Sequence, residues 1–343
     1  MNKTVYVGMS GGVDSSLSAA LLKEQGYNVV GVYMKNWSKD LPGFVCPWKE
    51  DYQDAKRIAV NLGIDFKMFD FEKEYRQKVV DYMVKEYSLG HTPNPDIMCN
   101  QEVKFKLFLD TALGEGADLI ATGHYARIKD GQLFTGLDDS KDQSYFLYRV
   151  TNEALKKSLM PVGSFPKTEV RAMARTMNLA TADKKDSQGI CFVGKVGIKE
   201  FLLNELGPQE HGPIIDQSGK EIGSHDGAIF YTIGQRHGLN IGGGLPYYIS
   251  HKNMDTNTVY VTTNLDDAGL WRDKIILNDI HWINQAAKAG KEYKARLRYR
   301  GPLVPATIEG KNLILKEQVR GVAAGQSAVI YNQDKILGGG IVT

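Results

Sequence analysis

Cysteine is scarce in this chain, with three residues in 343: Cys46, Cys99 and Cys191. A small, odd number excludes a disulfide-stapled scaffold and points to a reducing, cytoplasmic setting in which single thiols can carry chemistry. No apolar run is long enough to span a bilayer, and the N-terminus passes straight into a strand, so neither a membrane partner nor a signal peptide is expected. Charge of one sign is missing as well. A formal net charge of +2 means that any nucleic acid must be met by a local patch rather than by a global field. There is no Cys-x-x-Cys or close Cys/His spacing, which removes a zinc site, and the Lys-Ser/Thr pair of a Walker A loop is absent. The chain is too long for one typical core, so two or three domains are expected.

What is present begins at Gly8-Met9-Ser10-Gly11-Gly12-Val13-Asp14-Ser15, directly after the apolar run Val5-Tyr6-Val7. A buried strand that stops at a glycine-rich turn and opens into a periodic helix (Leu17, Ala20, Leu21) makes an anion site from free N–H groups and a positive dipole end. Strand-like runs at Val29–Met34, Asp65–Phe71 and Leu119–Ala121 alternate with helical stretches, as in a doubly wound, mostly parallel α/β sheet. The string His91-Thr92-Pro93-Asn94-Pro95-Asp96-Ile97-Met98-Cys99-Asn100 reads as an extended loop, because two prolines in three residues forbid a helix. Cys99 then falls close to a helix start, where a dipole favours thiolate, and Cys191 follows two lysines. Cys46, in Phe44-Val45-Cys46-Pro47-Trp48, reads as a buried small hydrophobe. After Gly207-Pro208 the pattern turns to short strands and turns. The domains are therefore expected at 1–200 (α/β), 201–264 (a small β-rich unit) and 265–343 (a β-barrel or a sandwich).

Ser-Gly-Gly-Val-Asp-Ser resembles the pyrophosphate loop of the ATP pyrophosphatases, which adenylate a substrate and release pyrophosphate. The resemblance narrows with Asn94-Pro95-Asp96 ahead of Cys99, Gly123-His124-Tyr125-Ala126-Arg127, Lys141-Asp142-Gln143-Ser144 and Asp186-Ser187-Gln188-Gly189-Ile190-Cys191-Phe192. Together with Tyr231-Thr232-Ile233-Gly234-Gln235-Arg236-His237-Gly238 and Gly325-Gln326-Ser327-Ala328, these strings resemble the tRNA-specific 2-thiouridylase family along essentially the whole chain.

That resemblance implies ATP held by Gly8 to Ser15 with Met34 and Gly123 against the adenosine, and a magnesium ion on the phosphates. It implies a persulfide on Cys191, received from a cysteine desulfurase or a sulfur-relay protein, and Cys99 as the second cysteine, with a Cys99–Cys191 disulfide as a product to be reduced. The partner it implies is tRNA for Lys, Glu and Gln, thiolated at the wobble uridine. Asn94, Pro95 and Asp96 would lie on the flipped base, and His124, Lys141, Asp142, Gln143, Arg298, Tyr299 and Gln326 along the RNA. Asp96 has two readings, a proton-handling group at the base or a loop-capping carboxylate. Strand alternation over Lys294–Arg300 expects Lys294, Arg296, Arg298 and Arg300 on one face, either tracking phosphates or solvating an edge strand. The rival activities are a pyrophosphatase-loop synthetase of the amidotransferase type acting on a small molecule, and a non-catalytic RNA binder. A monomer is the default.

Overall fold

A computed structural model describes residues 2–186, 197–239, 241–242, 244 and 246–343. The first strand, β1 (Thr4–Gly8), runs into helix α1 (Val13–Glu24), and β2 (Asn28–Lys35), α2 (Trp48–Leu62) and β3 (Asp65–Asp70) follow. A continuous helical run comprises α3 (Glu72–Tyr75), a π-helical turn over Arg76–Val80 and α4 (Asp81–Ser88). A second such run comprises α5 (Pro95–Met98), a π-helical stretch over Cys99–Leu107 and α6 (Phe108–Gly114). Next come β4 (Leu119–Ala121), the hairpin β5 (Ala126–Lys129) and β6 (Gln132–Thr135), then α7 (Asn152–Lys156), β7 (Ser158–Leu159) and α8 (Lys167–Thr176).

Strands β3-β2-β1-β4-β7 form one parallel sheet in that order. Its central strands are apolar on both faces. Val5, Val7 and Val29 pack with Leu17, Ile58 and Val170 on one side, and Tyr6, Val30, Val32 and Ile120 pack with Val79, Met83 and Phe108 on the other. The strand order reverses between β1 and β4, and the crevice at their C-terminal ends is where such sheets receive ligands. Both the phosphate loop and Gly123 stand there.

Helix α9 (Ile198–Leu206) leads to a four-stranded sheet, β10-β11-β8-β9, made from β8 (Gly212–Ile215), β9 (Glu221–His225), β10 (Tyr248–Asn253) and β11 (Thr258–Thr262). The last part is a closed six-stranded barrel of β12 (Trp271–Trp282), β13 (Tyr293–Arg296), β14 (Val304–Glu309), β15 (Asn312–Arg320), β16 (Ser327–Asn332) and β17 (Lys335–Val342), with β12 pairing β17 to close it. The α/β doubly wound domain, the central β-rich domain and the C-terminal barrel expected from the sequence are all present. The barrel is also stitched to the first domain, because β17 pairs with β6 through Lys335↔Phe134 and Ile336↔Leu133. No helix among the described residues is long and apolar enough to cross a membrane.

Two local expectations are corrected. The Pro93–Pro95 segment is not extended throughout, since Pro95 is the first helical residue, where a missing N–H costs nothing, and Asn94 caps the turn by accepting from Asp96 N at 3.2 Å. Cys99 therefore lies past the first turn of its helical run, beyond the strongest part of the dipole. Strand β13 ends at Arg296 rather than continuing to Arg300. Arg298–Arg300 form a turn before Gly301-Pro302, closed by Gly301 N donating to Arg298 O at 2.9 Å, so the four-cation face does not form.

Candidate active site

Helix α1 starts at Gly12 with no side-chain cap, which leaves its first N–H groups open to an anion. The loop is held from within, as Ser15 Oγ accepts from Ser10 N at 3.2 Å and Ser16 Oγ donates to Gly12 O at 2.8 Å. Gly123, just after β4, closes the other side. A Cβ there would stand 2.7 Å from Ser15 N and 2.8 Å from Asp14 C, so only glycine lets the two segments approach. Half-buried Met34 lies over Gly8 at the end of β2.

Asp14 is the only carboxylate of the loop. Tyr125 Oη donates to its Oδ1 at 2.8 Å, and Lys167 Nζ reaches both oxygens at 2.7 and 2.8 Å. Burial and the Asp14 charge drive the Tyr125 hydroxyl strongly upward, so it stays a donor. Lys167 Nζ also stands 2.8 Å from Asp186 Oδ1. Lys141 and Arg171 each contact Asp186 at 2.8 Å. Burial raises the Asp186 carboxyl, but the hydrogen bonds from Lys141 and Lys167 outweigh it and hold the group at about 2. Arg171 also donates to Ala182 O and Lys184 O, while Lys184 pairs with Asp51 and Asp54 of α2. The chain that enters the 187–196 segment is thereby pinned beside the phosphate loop. Cys191 itself lies outside the described residues.

The second centre is the Asn94–Cys99 turn. With Asn94 as the cap, the Asp96 carboxylate has no hydrogen-bond partner among the described residues. Burial raises its pKa, opposed by the charge of Lys104. His124 is buried, its Nδ1 is 2.8 Å from Thr122 Oγ1, and its ring lies 5.7 Å from that of Phe105. Burial first, and Lys104 second, push it well below the usual imidazole range, so it is neutral at pH 7. Lys104 thus faces both Asp96 and His124 and joins them in one neighbourhood. Cys99 is buried at the junction of α5 and the π-helical stretch, a backbone form often found at functional sites. Cys46 is buried too, its Sγ 3.7 Å from Trp37 O and its thiol pushed up mainly by burial, as a structural cysteine should be.

This turn is wedged between domains. Thr92 N donates to Ala324 O at 2.7 Å, Gln326 Nε2 donates to Thr92 O at 2.7 Å, and Thr92 Oγ1 meets Thr232 Oγ1 of the central domain at 2.9 Å. Gly325, at φ +90°, allows the approach, since a Cβ there would lie 2.8 Å from Thr92 N. Arg149 adds a brace. It hydrogen-bonds Gln101 on the Cys99 helix and reaches Asp279 of the barrel at 2.9 Å (O) and 2.7 Å (Oδ2).

Three family models match this chain end to end: a tRNA methyl transferase HUP domain over residues 3–195, a tRNA methyl transferase PRC-barrel domain over 199–263, and an aminomethyltransferase beta-barrel domain over 272–342. Among curated relatives, the tRNA-specific 2-thiouridylase MnmA of Bacillus subtilis strain 168 is 45% identical over 350 residues, covering 98% of this chain and 94% of the relative. Those of Bacillus cytotoxicus (46%) and Staphylococcus epidermidis (45%) match with the same coverage. The chain belongs to the tRNA-specific 2-thiouridylase family. A solved NH3-dependent NAD synthetase from Campylobacter jejuni overlaps 60% of this chain and 75% of its own, at 22% identity and a TM-score of 0.35.

The remaining positions expected from the sequence lie toward the barrel. Lys141, Asp142 and Gln143 line a loop facing the barrel, and Asp139–Asp142 with Arg296, Tyr299 and Arg300 bound a cleft of about 510 Å³ between the two domains. Within it, the Asp142 carboxylate turns inward to Gly136 N, Ser144 and Arg296, and Gln143 Oε1 accepts from Tyr125 N at 2.9 Å. Tyr299 packs against Phe146 with ring centroids 4.3 Å apart and planes tilted by 46°, and Phe146 O accepts from Asn100 beside Cys99. Arg298 is exposed on the turn. Sequence reasoning passed over three residues of these centres: Lys167, Lys104 and Arg149. The only linear cue for Lys167 is a lysine at the first position of α8.

Proposed function

We propose that this chain carries out ATP-dependent 2-thiolation of the wobble uridine of tRNA, with the acceptors for Lys, Glu and Gln as its substrates. The observation that carries the reading is the pairing of two centres in one domain. An open helix N-terminus for phosphates stands at the sheet's switch point, and the Asp96–Cys99 turn is held against two further domains that a macromolecular substrate could bridge. In this reading residues 1–200 carry the chemistry, while 201–264 and 265–343 hold the RNA.

The flipped uracil enters over Asn94, Pro95 and Asp96. Asp96, raised by burial, accepts the N3 proton as O2 attacks the α-phosphate, giving the O2-adenylate and pyrophosphate. The terminal sulfur of a Cys191 persulfide attacks C2 and expels AMP. The Cys99 thiolate then attacks the Cys191 sulfur, breaks the S–S bond, releases 2-thiouridine and leaves a Cys99–Cys191 disulfide that an external dithiol reduces. The family implies magnesium on the phosphates, but the loop's single carboxylate already has both oxygens on Lys167. That donor set does not make a metal site by itself. Lys141, Arg298, Tyr299 and Gln326 are the proposed RNA contacts. The methyl transfer named by the family models gives an uncapped phosphate loop no use, which favours adenylation.

The test is to incubate the protein with ATP, magnesium, a persulfide source and unmodified tRNA, digest the RNA and weigh the nucleosides. The 2-thiouridine mass is expected from wild type and absent from Cys99→Ser and Cys191→Ser, with pyrophosphate release surviving in both. Pyrophosphate release with a small acid or amine, and no thiolated base, would instead make the protein a synthetase.

A further inference from the structure

Lys167 opens α8, yet its side chain is buried and its ammonium faces the start of α1. Burying a lysine is costly unless the charge is matched, and here two carboxylates match it. An ammonium has three donors. Two are on the oxygens of Asp14, and the third is directed at Asp186 Oδ1, 2.8 Å away. Asp186 is not left unpaired without that third contact, because Lys141 and Arg171 each hold it at 2.8 Å. The ion pairs of the cluster set Lys141, Lys167 and Arg171 against Asp14 and Asp186, beside an uncapped helix N-terminus.

We infer that Lys167 binds the triphosphate of the bound nucleotide, moving its third contact from Asp186 to a phosphate oxygen while it neutralises Asp14. The exchange leaves no carboxylate unpaired: Asp186 keeps two cations and Asp14 keeps Lys167 and Tyr125. Without Lys167, the Asp14 charge would sit in the phosphate cradle and repel the polyanion it serves. Lys167 is thus a substrate-contacting residue for the same site, and the inference rests on the ATP reading proposed above.

Calorimetric titration of the full chain with ATP, pyrophosphate and adenosine tests it. Lys167→Met is expected to bind ATP and pyrophosphate roughly 10- to 100-fold more weakly, the equivalent of one charge-assisted hydrogen bond, with adenosine affinity unchanged. Lys167→Arg should keep pyrophosphate binding within about threefold of wild type, since the charge remains. Asp186→Asn should bind ATP roughly twofold to fivefold more tightly, because it competes less for the ammonium. This variant carries the test if Lys167→Met does not fold. Wild-type pyrophosphate affinity in Lys167→Met, an equal loss for adenosine, or weaker ATP binding by Asp186→Asn overturns the inference. A wild-type protein that thiolates tRNA while Lys167→Met keeps its ATP affinity overturns this inference alone, whereas one that binds neither ATP nor pyrophosphate overturns the ATP reading with it.

Discussion

At the proposed nucleotide end of the site, Asp14, Tyr125, Lys167 and Gly123 all belong to the α/β domain, and every contact among them is made inside it. At the proposed base end, Thr92 is held by Ala324 and Gln326 of the barrel and by Thr232 of the central domain, and Gln101 reaches the barrel through Arg149. One centre is complete within a domain, and the other is completed only when three domains meet. ATP affinity should therefore be insensitive to what happens in the barrel, while delivery of the base should not be.

The largest separation of the two ends should come from Asp96→Asn. Loss of a general base costs about 10²–10⁴ in rate, so thiolation should fall by that order while ATP binding stays at the wild-type value. The pH profile sharpens this. Burial raises the Asp96 carboxyl, so the wild-type rate should decline as pH falls through a pKa above the ordinary carboxylate range, because a base must be ionised to act. Rates for wild type and Asp96→Asn measured across pH with saturating ATP check both points. An acid limb that survives in the variant would remove Asp96 from the role.

The opposite break is Gly123→Val. Its Cβ would be forced onto Ser15 N and Asp14, an overpacking worth about 1–3 kcal/mol, so ATP affinity should drop roughly 10- to 100-fold. Binding of tRNA in a filter or mobility assay should not change. If tRNA binding falls in step with ATP binding, the two centres are not separately built.

These ends also differ in how far they can be read without coordinates. The phosphate loop is contiguous, and its glycines, hydroxyls and following helix are all visible between Gly8 and Leu21. Lys167 is 153 positions from Asp14 and comes alongside only because α8 packs on α1. In the chain it looks like an ordinary lysine opening a helix. The proline rule misread Asn94–Cys99, because Pro95 uses the first helical position, where its missing N–H is harmless. Alternation likewise failed after Arg296, where Gly301-Pro302 ends the strand and Arg296 turns in to Asp142. The parallel sheet and the all-β character of the last domain were legible from periodicity, whereas the β12–β17 pairing that makes a barrel rather than a sandwich was not. Nor was the wedge at Thr92, since its partners Thr232 and Gln326 stand 140 and 234 positions away in other domains, and its bond to Ala324 is backbone to backbone.

A milder cut at the base end is Arg149→Met, which removes the brace between Gln101 and Asp279. The Asp279 carboxylate is 63% exposed and will be hydrated, so the cost falls on Gln101 and on Asp279 O, about 1–3 kcal/mol of stability. Denaturant unfolding should register the loss. Thiolation should slow several-fold at saturating tRNA, with ATP affinity unmoved. An altered ATP affinity would mean that the barrel supports the nucleotide centre as well.

The smallest expected effect is the most specific. Gln326 donates a single hydrogen bond to Thr92 O, and replacing it with Ala removes about 1 kcal/mol of contact between the barrel and the Asn94 turn. Thr92 keeps its bonds to Ala324 O and Thr232 Oγ1, so the wedge should loosen rather than open. In steady-state thiolation the KM for tRNA should rise roughly threefold to fivefold, the kinetic equivalent of that bond, with kcat and the KM for ATP within error of wild type. Thr92→Val, which removes only the hydroxyl facing Thr232, should give a change of similar size. The double variant should then exceed the sum of the two in free energy, because both bonds hold the same short segment. Strict additivity would mean that the barrel and the central domain act on the turn independently, and that the base end is two contacts rather than one three-domain junction.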